Sequence, residues 1–389
     1  MDKVRFGIIG FGGMGAAHGD YLGKSEVPNA ELVAACDVDP ARLKVAKEKF
    51  GEKFQVFDNA DAFFAAKAVD AVLIATPHYF HPPLAIKAFQ NGLHVLTEKP
   101  AGVYTKQVRE MNEAAAKSGK VFGIMFQMRT TPAYQKIRDL VGSGELGELR
   151  RSVFFCTDWF RSQCYYDSGT WRATWGGEGG GVLINQCPHS LDIWQWTSGL
   201  PKRVRAFCGF GKHHNIEVED DVTAYVEYAN GATGLFVTTT GEAPGTYRFE
   251  LSGDRGKLTF DNSNILKFCR TRVSVAQYTR ESTQAFATPE CWTCEVPPGG
   301  SGGNHVTVTR GFVNAILKGG KPIIPGEEGI RSLEISNAML LSAWTDSWVE
   351  LPINEDLFLA KLQERIKSSK FKKTASGQTM DFSTSFRPT

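Results

Sequence analysis

Two periodicities divide the chain. Short apolar runs at Val4–Ile9, Leu32–Cys36, Ala71–Ala75, His94–Thr97 and Val121–Phe126 alternate with segments carrying apolar residues at helical spacing: Met14–Leu22, Pro40–Phe50, His81–Gln90 and Thr105–Lys117. Strands apolar on both faces need cover on both sides, so this alternation predicts a parallel sheet between layers of helix. Pro40 behind Asp39 suits a first helical turn, and Gly92 and Gly119 suit helix ends. From about Glu148 the period falls to two, in Arg203–Phe210, Val222–Tyr228, Thr233–Thr239, Tyr247–Ser252, Lys257–Phe260 and Ile265–Arg270. Turn-forming residues at 229–231, 244–245 and 254–256 separate these segments, which predicts an antiparallel sheet. A Gly/Pro loop at Pro297–Gly303 leads to helical patterns at Val306–Lys318 and Glu327–Trp348. Lys367–Thr389 is polar and weakly patterned, a tail or an arm against a partner subunit. The expected fold class is α/β. A Rossmann dinucleotide-binding domain over 1–127 precedes an α+β domain with a large open antiparallel sheet over 128–389.

The first strand runs directly into Gly10-Phe11-Gly12-Gly13-Met14-Gly15, and a helix pattern follows at once. In that context G-x-G-x-x-G has a mechanism. Gly10 allows the tight turn, Gly12 lets the backbone approach a pyrophosphate, and Gly15 lets helix and strand pack closely. The helix N-terminus offers unpaired N–H groups to phosphate. Asp37 ends the second strand, where its carboxylate would accept from the adenosine ribose hydroxyls and repel a 2′-phosphate. NAD is therefore expected rather than NADP, with Arg42 as the one nearby group that could pair with such a phosphate.

Composition narrows the function classes. The 389 residues are 42% hydrophobic and 22% charged, enough for two cores, and a net charge of +2 gives no field for nucleic acid. Apolar runs are strand-sized, so neither a membrane span nor, with a strand starting at Val4, a signal peptide is expected. The eight scattered cysteines then read as reduced thiols of a cytoplasmic protein. Cys291 and Cys294 form a single C-x-x-C, too few ligands for structural zinc, and the run from Lys370 to Lys373 reads as solvated.

Beyond the fourth strand come Thr76-Pro77-His78-Tyr79-Phe80-His81, Thr97-Glu98-Lys99-Pro100, and a glycine-rich block from Gly179 to Asp192 that contains Asn185 and His189. With the fingerprint, these motifs resemble the Gfo/Idh/MocA family of sugar and inositol dehydrogenases over roughly residues 3 to 350. The resemblance implies a Rossmann domain followed by an open-faced sheet that often serves oligomer contacts, hence a homo-oligomer, dimer or tetramer. It also implies that Lys99 and His189 meet at the nicotinamide. The residue types suit oxidation of a secondary alcohol: His189 can accept the hydroxyl proton, and a partly desolvated Lys99 can stabilise the developing alkoxide. The reverse assignment remains open. One position departs from the pattern. Asn185 stands where the family commonly has Asp, four residues before the histidine, and an amide can orient a hydroxyl but carries no proton.

Around these residues, Thr76, Pro77, His78, His81, Glu98 and Gln127 are expected near the cofactor. His78 could equally be a polar turn residue, and His81 fits better as a helix cap than in chemistry. Trp159, Arg161, Tyr165 and Trp175 combine aromatic faces with hydrogen-bonding groups, which suits a carbohydrate. Their competing reading is interface core. Arg172 is a cofactor candidate, Arg129 is expected to reach the cleft from a strand end, and His305 is a weaker candidate. The leading expectation is an NAD-dependent dehydrogenase of a sugar, glycoside or cyclic polyol. The alternatives are a glycoside-cleaving enzyme that oxidises transiently without net NADH, and a non-enzymatic dinucleotide sensor, against which both Lys99 and His189 speak.

Overall fold

The computed structural model describes residues 2–300, 303–371 and 373. The first layer of the fold is β1 (Val4–Ile9), α1 (Gly13–Gly23), β2 (Ala30–Cys36), α2 (Pro40–Phe50), β3 (Gln55–Phe57), α3 (Ala60–Ala65), β4 (Ala71–Ile74), α4 (His81–Gln90), β5 (His94–Thr97), α5 (Thr105–Ser118) and β6 (Phe122–Ile124). Its six strands lie in the order β3-β2-β1-β4-β5-β6, all parallel. This is the doubly wound arrangement the strand–helix alternation predicts, with its crevice where the order reverses between β1 and β4. Helix ends follow the local chemistry: Asp39 caps α2 by accepting from Ala41 N with Pro40 at the first turn, and α5 stops at left-handed Gly119.

The second part comprises α6 (Pro132–Gly142), β7 (Leu149–Cys156), α7 (Gln163–Asp167), α8 (Pro188–Ser198), β8 (Arg203–Phe210), β9 (Glu219–Glu227), β10 (Thr233–Thr239), β11 (Tyr247–Gly253), β12 (Gly256–Asp261), β13 (Leu266–Thr271), α9 (Val275–Glu281), β14 (Cys291–Glu295), α10 (His305–Lys318), α11 (Gly329–Thr345), β15 (Val349–Glu350) and α12 (Glu355–Ser368). Nine strands form one sheet in the order β14-β13-β12-β11-β7-β10-β9-β8-β15. The sheet is antiparallel, as expected, at every pairing but one: β7 and β10 are parallel. The reason is topological. β7 enters the sheet centre after α6, and the long excursion through α7 and α8 intervenes before the meander that follows. Inward side chains such as Phe154 and Phe236 pack beneath α8, where Trp194 lies 5.2 Å from the Phe236 ring and donates to Ser152 Oγ at 2.6 Å.

Helix α10 returns to the first layer. Phe312 is fully buried 6.1 Å from the Phe6 ring, and Ile124 N donates to Ile324 O at 3.3 Å. The tail expected over Lys367–Thr389 begins inside α12, and Lys372 and residues 374–389 lie outside the described residues. Lys373, expected in a solvated run, instead donates from Nζ to the Arg172 carbonyl at 2.7 Å.

Candidate active site

The crevice at the β1/β4 reversal opens into a cleft of about 790 Å³ between the two parts. Its glycine turn is shaped by steric necessity. Gly10 has φ +89°, and a Cβ on Gly15 would lie 1.9 Å from the Gly10 carbonyl oxygen, so α1 can approach β1 only with glycine there. Gly13 and Met14 line the cleft. A Cβ added to Gly12 would meet only the Arg42 guanidinium, at 3.3 Å, leaving room above the turn for a phosphate group. Phe11 does not face the cleft: its ring packs edge-on against Phe50 in the core, and its amide donates to Asp37 Oδ2 at 2.6 Å.

Asp37 is buried at the end of β2 and also accepts from Asp39 N at 2.9 Å. Arg42 lies 3.5 Å from Asp37 and 3.4 Å from Asp39, so its guanidinium is engaged by carboxylates on both sides. Just beyond β4, Thr76 Oγ1 is buried with no partner among the described residues. The geometry fits a dinucleotide: an open glycine turn at a helix N-terminus, a fixed acidic residue, and an unclaimed hydroxyl at the switch point.

His81 is buried, with its two ring nitrogens each 2.7 Å from a carbonyl, Pro100 O and Thr76 O. It ties two loops of the crevice together rather than reaching into it. His78 is likewise buried, 3.3 Å from the Glu178 carbonyl and edge-on to Trp171, and it does not line the cleft. Burial and the neighbouring His81 and Lys99 charges hold its pKa well below the ordinary imidazole value. Glu98 lines the cleft while its Oε1 contacts His18 Nε2 at 2.7 Å and its Oε2 accepts from Lys99 N at 3.1 Å. Burial favours protonation of Glu98, but the His18 hydrogen bond and surrounding charges outweigh it and bring the pKa down to about 2.

Lys99 and His189, brought from β5 and the first turn of α8, face the same cleft. Lys99 Nζ donates to the Asn185 carbonyl at 2.8 Å. Burial lowers its pKa, opposed by Glu98 and Glu178 and reinforced by Arg172 and Arg161. His189 Nε2 stands 3.4 Å from Gln127 Nε2, where the amide donates and the imidazole accepts, and its Nδ1 is buried with no partner among the described residues. Burial, aided by the Lys99 charge, keeps this histidine well below its usual pKa and therefore neutral. Gln127 Oε1 and Gln186 Oε1 are also buried without partners.

The aromatic segment divides. Trp159, Arg161, Tyr165 and Arg172 line the cleft, with the Arg161 guanidinium 5.6 Å from the Trp159 ring and 5.2 Å from the Tyr165 ring. Arg172 donates to Tyr165 Oη at 2.9 Å. Two expected contacts are not brought there. Trp175 is buried against Phe210 and Trp344, since its indole fills the space between β8 and α11. Arg129 is turned into the core: it donates to both Asp192 carboxylate oxygens at 2.6 Å and to Glu328 at 2.5 Å, only 5% exposed. Its position after β6 points toward the cleft in sequence, but the buried Asp192 on α8 and the partly exposed Glu328 before α11 claim it. His305 lines the cleft, its ring 5.5 Å from His18, and burial lowers its pKa to about 4. Glu178, Gln186 and His18 escaped sequence reasoning. An acid ahead of three glycines reads as a solvated turn, and a single histidine inside a helix carries no pattern.

Among the described residues no helix is long and apolar enough to cross a membrane, and no cluster of ligands could hold a metal. All eight cysteines are free, Cys291 and Cys294 standing exposed on β14.

Known proteins share this arrangement. Residues 4–126 match the family model described as oxidoreductase family, NAD-binding Rossmann fold, and residues 134–259 match that of the GFO/IDH/MocA C-terminal domain. The D-glucoside 3-dehydrogenase of Escherichia coli K12 is 31% identical over 244 residues, 59% of this chain and 68% of that protein. The levoglucosan dehydrogenase of Pseudarthrobacter phenanthrenivorans is 25% identical over 403 residues, covering 90% of this chain and 99% of its own. Among solved structures, the WlbA dehydrogenase of Bordetella pertussis in complex with NADH and UDP-GlcNAcA superposes with a TM-score of 0.75 at 26% identity, covering 90% of this chain and all of that one. With Asp37 bonded to the glycine turn, Lys99 and His189 lining one cleft, and both halves of the chain matched in order, the protein belongs to the Gfo/Idh/MocA family of oxidoreductases.

Proposed function

We propose that the chain binds NAD along the glycine turn and oxidises a ring secondary hydroxyl of a sugar, glycoside or cyclic polyol. Bound there, the nicotinamide accepts the hydride from the carbinol carbon. The observation that carries the reading is the pairing of a buried histidine, His189, with a half-buried lysine, Lys99, lining one cleft with Gly13 and Met14. With the ring proton on Nδ1, the His189 Nε2 lone pair exchanges its long 3.4 Å contact with the Gln127 amide for the substrate hydroxyl and takes that proton. Lys99 Nζ spends one N–H on the Asn185 carbonyl and has two left for the developing alkoxide. The rings of Trp159 and Tyr165 suit the C–H face of a sugar, and Arg161, Asn185 and Gln186 suit its hydroxyls. Asp37 takes the ribose hydroxyls, and Arg42, already paired, leaves NADP the poorer cofactor.

The test is incubation of purified protein with NAD and a panel of inositols, free sugars and glycosides, following NADH absorbance and product release together. Stoichiometric NADH with at least one ring polyol supports the proposal. Cleavage of a glycosidic bond without NADH, or binding without turnover, replaces it with the elimination or sensor reading.

We further infer a cytoplasmic homo-oligomer. The free thiols fit a reducing compartment. The sheet face away from α8 carries Val153, Phe155, Leu235 and Val237 at adjacent register positions, with Phe207 61% and Tyr225 40% exposed beside them. An apolar sheet face of this kind suits a second copy of the chain. Sedimentation of the wild type and of Phe155→Glu should show an oligomer and its dissociation. A monomeric wild type would reject this inference.

A further inference from the structure

Glu178 takes no part in the mechanism above, yet it is one of the chain's most enclosed acids, 2% exposed and bonded to Asn185, which lines the cleft. Its Oε1 accepts from Asn185 Nδ2 and its Oε2 from Ala173 N. Among the described residues it forms no direct ion pair. The groups that face it are Arg172 and Lys373, with Lys99, Tyr165, Tyr166 and the buried acid Glu219 within electrostatic reach, and His78 against its backbone carbonyl.

Three groups converge on Asn185 itself. The side-chain nitrogen is bound to Glu178, the side-chain oxygen lies 3.4 Å from Tyr165 Oη, and the backbone oxygen holds Lys99 Nζ at 2.8 Å. The Glu178 bond fixes which way the amide faces, since only the NH₂ end can donate to a carboxylate. The Asn185 oxygen is thereby presented to Tyr165, which Arg172 and Gln186 also hold, at 2.9 and 3.2 Å. Both Glu178 oxygens accept from N–H donors, an arrangement that stabilises the ionised form against the desolvation that favours protonation.

We propose that Glu178 is the positioning residue of this active site, supplying through Asn185 the negative charge that the family pattern commonly has at the asparagine's own position. The charge is moved one hydrogen bond back from the substrate. There it keeps Lys99 protonated against its burial and locks the Asn185 oxygen toward Tyr165 on the cleft wall, but it cannot itself relay a proton. Burial raises the Glu178 pKa, so loss of this charge on acidification begins at a higher pH than for an exposed glutamate.

The proposal rests on the dehydrogenase reading, and two readouts separate their failures. Without substrate, the pH dependence of Lys99 acetylation by acetic anhydride, followed by mass spectrometry, reports the lysine's own pKa. Glu178→Gln should lower it, making Lys99 several-fold more reactive at neutral pH, since each pKa unit is tenfold in free amine below the pKa. With a turnover substrate, Glu178→Gln should lower kcat at least tenfold, with a smaller change in KM, and remove the acidic-limb contribution from the pH profile. The swap Glu178→Gln/Asn185→Asp reverses donor and acceptor in the same hydrogen bond, restores the charge, and should recover most of kcat and the Lys99 reactivity. It also serves where the single variant does not fold. Lys99 reactivity unchanged in Glu178→Gln, or indistinguishable between the swap and an Asn185→Leu control, would overturn the proposal. If no sugar yields NADH while Lys99 responds as expected, only the functional reading fails.

Discussion

Replacing Arg129 by methionine separates a structural arginine from a substrate ligand. The guanidinium is 5% exposed and makes two 2.6 Å bonds to Asp192, itself 1% exposed, and a third to Glu328. It also lies 5.9 Å from the Phe126 ring and 5.3 Å from the Trp196 ring. Removing one partner of a buried ion pair costs about 3–5 kcal/mol, because the other charge is left in the core. Loss of the cation–ring contacts adds about 1 kcal/mol. Glu328, a quarter exposed and 3.9 Å from Arg331, can turn to water or to that arginine and adds little. Arg129→Met is therefore expected to lose about 4–6 kcal/mol, a large part of the 5–15 kcal/mol typical of a domain. Arg129→Met/Asp192→Leu should regain most of it, as apolar replacement of a whole buried pair is often near neutral. The assay is urea denaturation of each variant, with KM for the sugar measured below the transition. A loss under about 1 kcal/mol accompanied by a tenfold rise in KM would refute the structural assignment and return Arg129 to the cleft.

Three further outcomes follow from the site and its supports. His189→Ala should lower kcat by about 10²–10⁴ while leaving the NAD dissociation constant, read from cofactor fluorescence, within about threefold. Asp37→Ser should raise the NADP/NAD ratio of kcat/KM at least about tenfold, as Arg42 is freed for a 2′-phosphate; an unchanged ratio would mean that carboxylate does not select the cofactor. Glu219 has its pKa raised by burial to about 7, despite accepting from Gly181 and Leu183 amides. A raised folded-state pKa stabilises fully below the unfolded value near 4.5 and is lost as pH rises through about 7, on the order of 3 kcal/mol across that window. Glu219→Gln should flatten this slope in melting temperature against pH, and a parallel slope in both proteins would contradict it.

The first sheet was readable because its central strands are apolar on both faces and prolines stand at the first turns of two of its helices, so Val4–Ile9, Pro40–Phe50 and His81–Gln90 coincide with observed elements. β7 was not readable. Its outward Val153 and Phe155 are as apolar as its inward Phe154, which erases the period of two that marks an edge-facing strand. β14 is exposed at every position and paired on one side only, so no burial pattern exists to detect. The family resemblance singled out Lys99 and His189, which line one cleft. Partner choice was invisible: that Arg129 turns to Asp192, or that Asn185 finds its acid seven positions upstream, depends on which loops fold against each other.

The return of α10 to the first sheet has a consequence for how the protein is made. Phe312 fills the space beside Phe6, Ile324 closes onto Ile124, and His305 contributes to the cleft wall. A nascent chain halted after β6 would have the fingerprint yet lack this cover, leaving one flank of its sheet wet. An isolated N-terminal fragment is therefore expected to unfold more readily than the same sheet in the full chain, with Phe6 and Ile124 stripped of these partners.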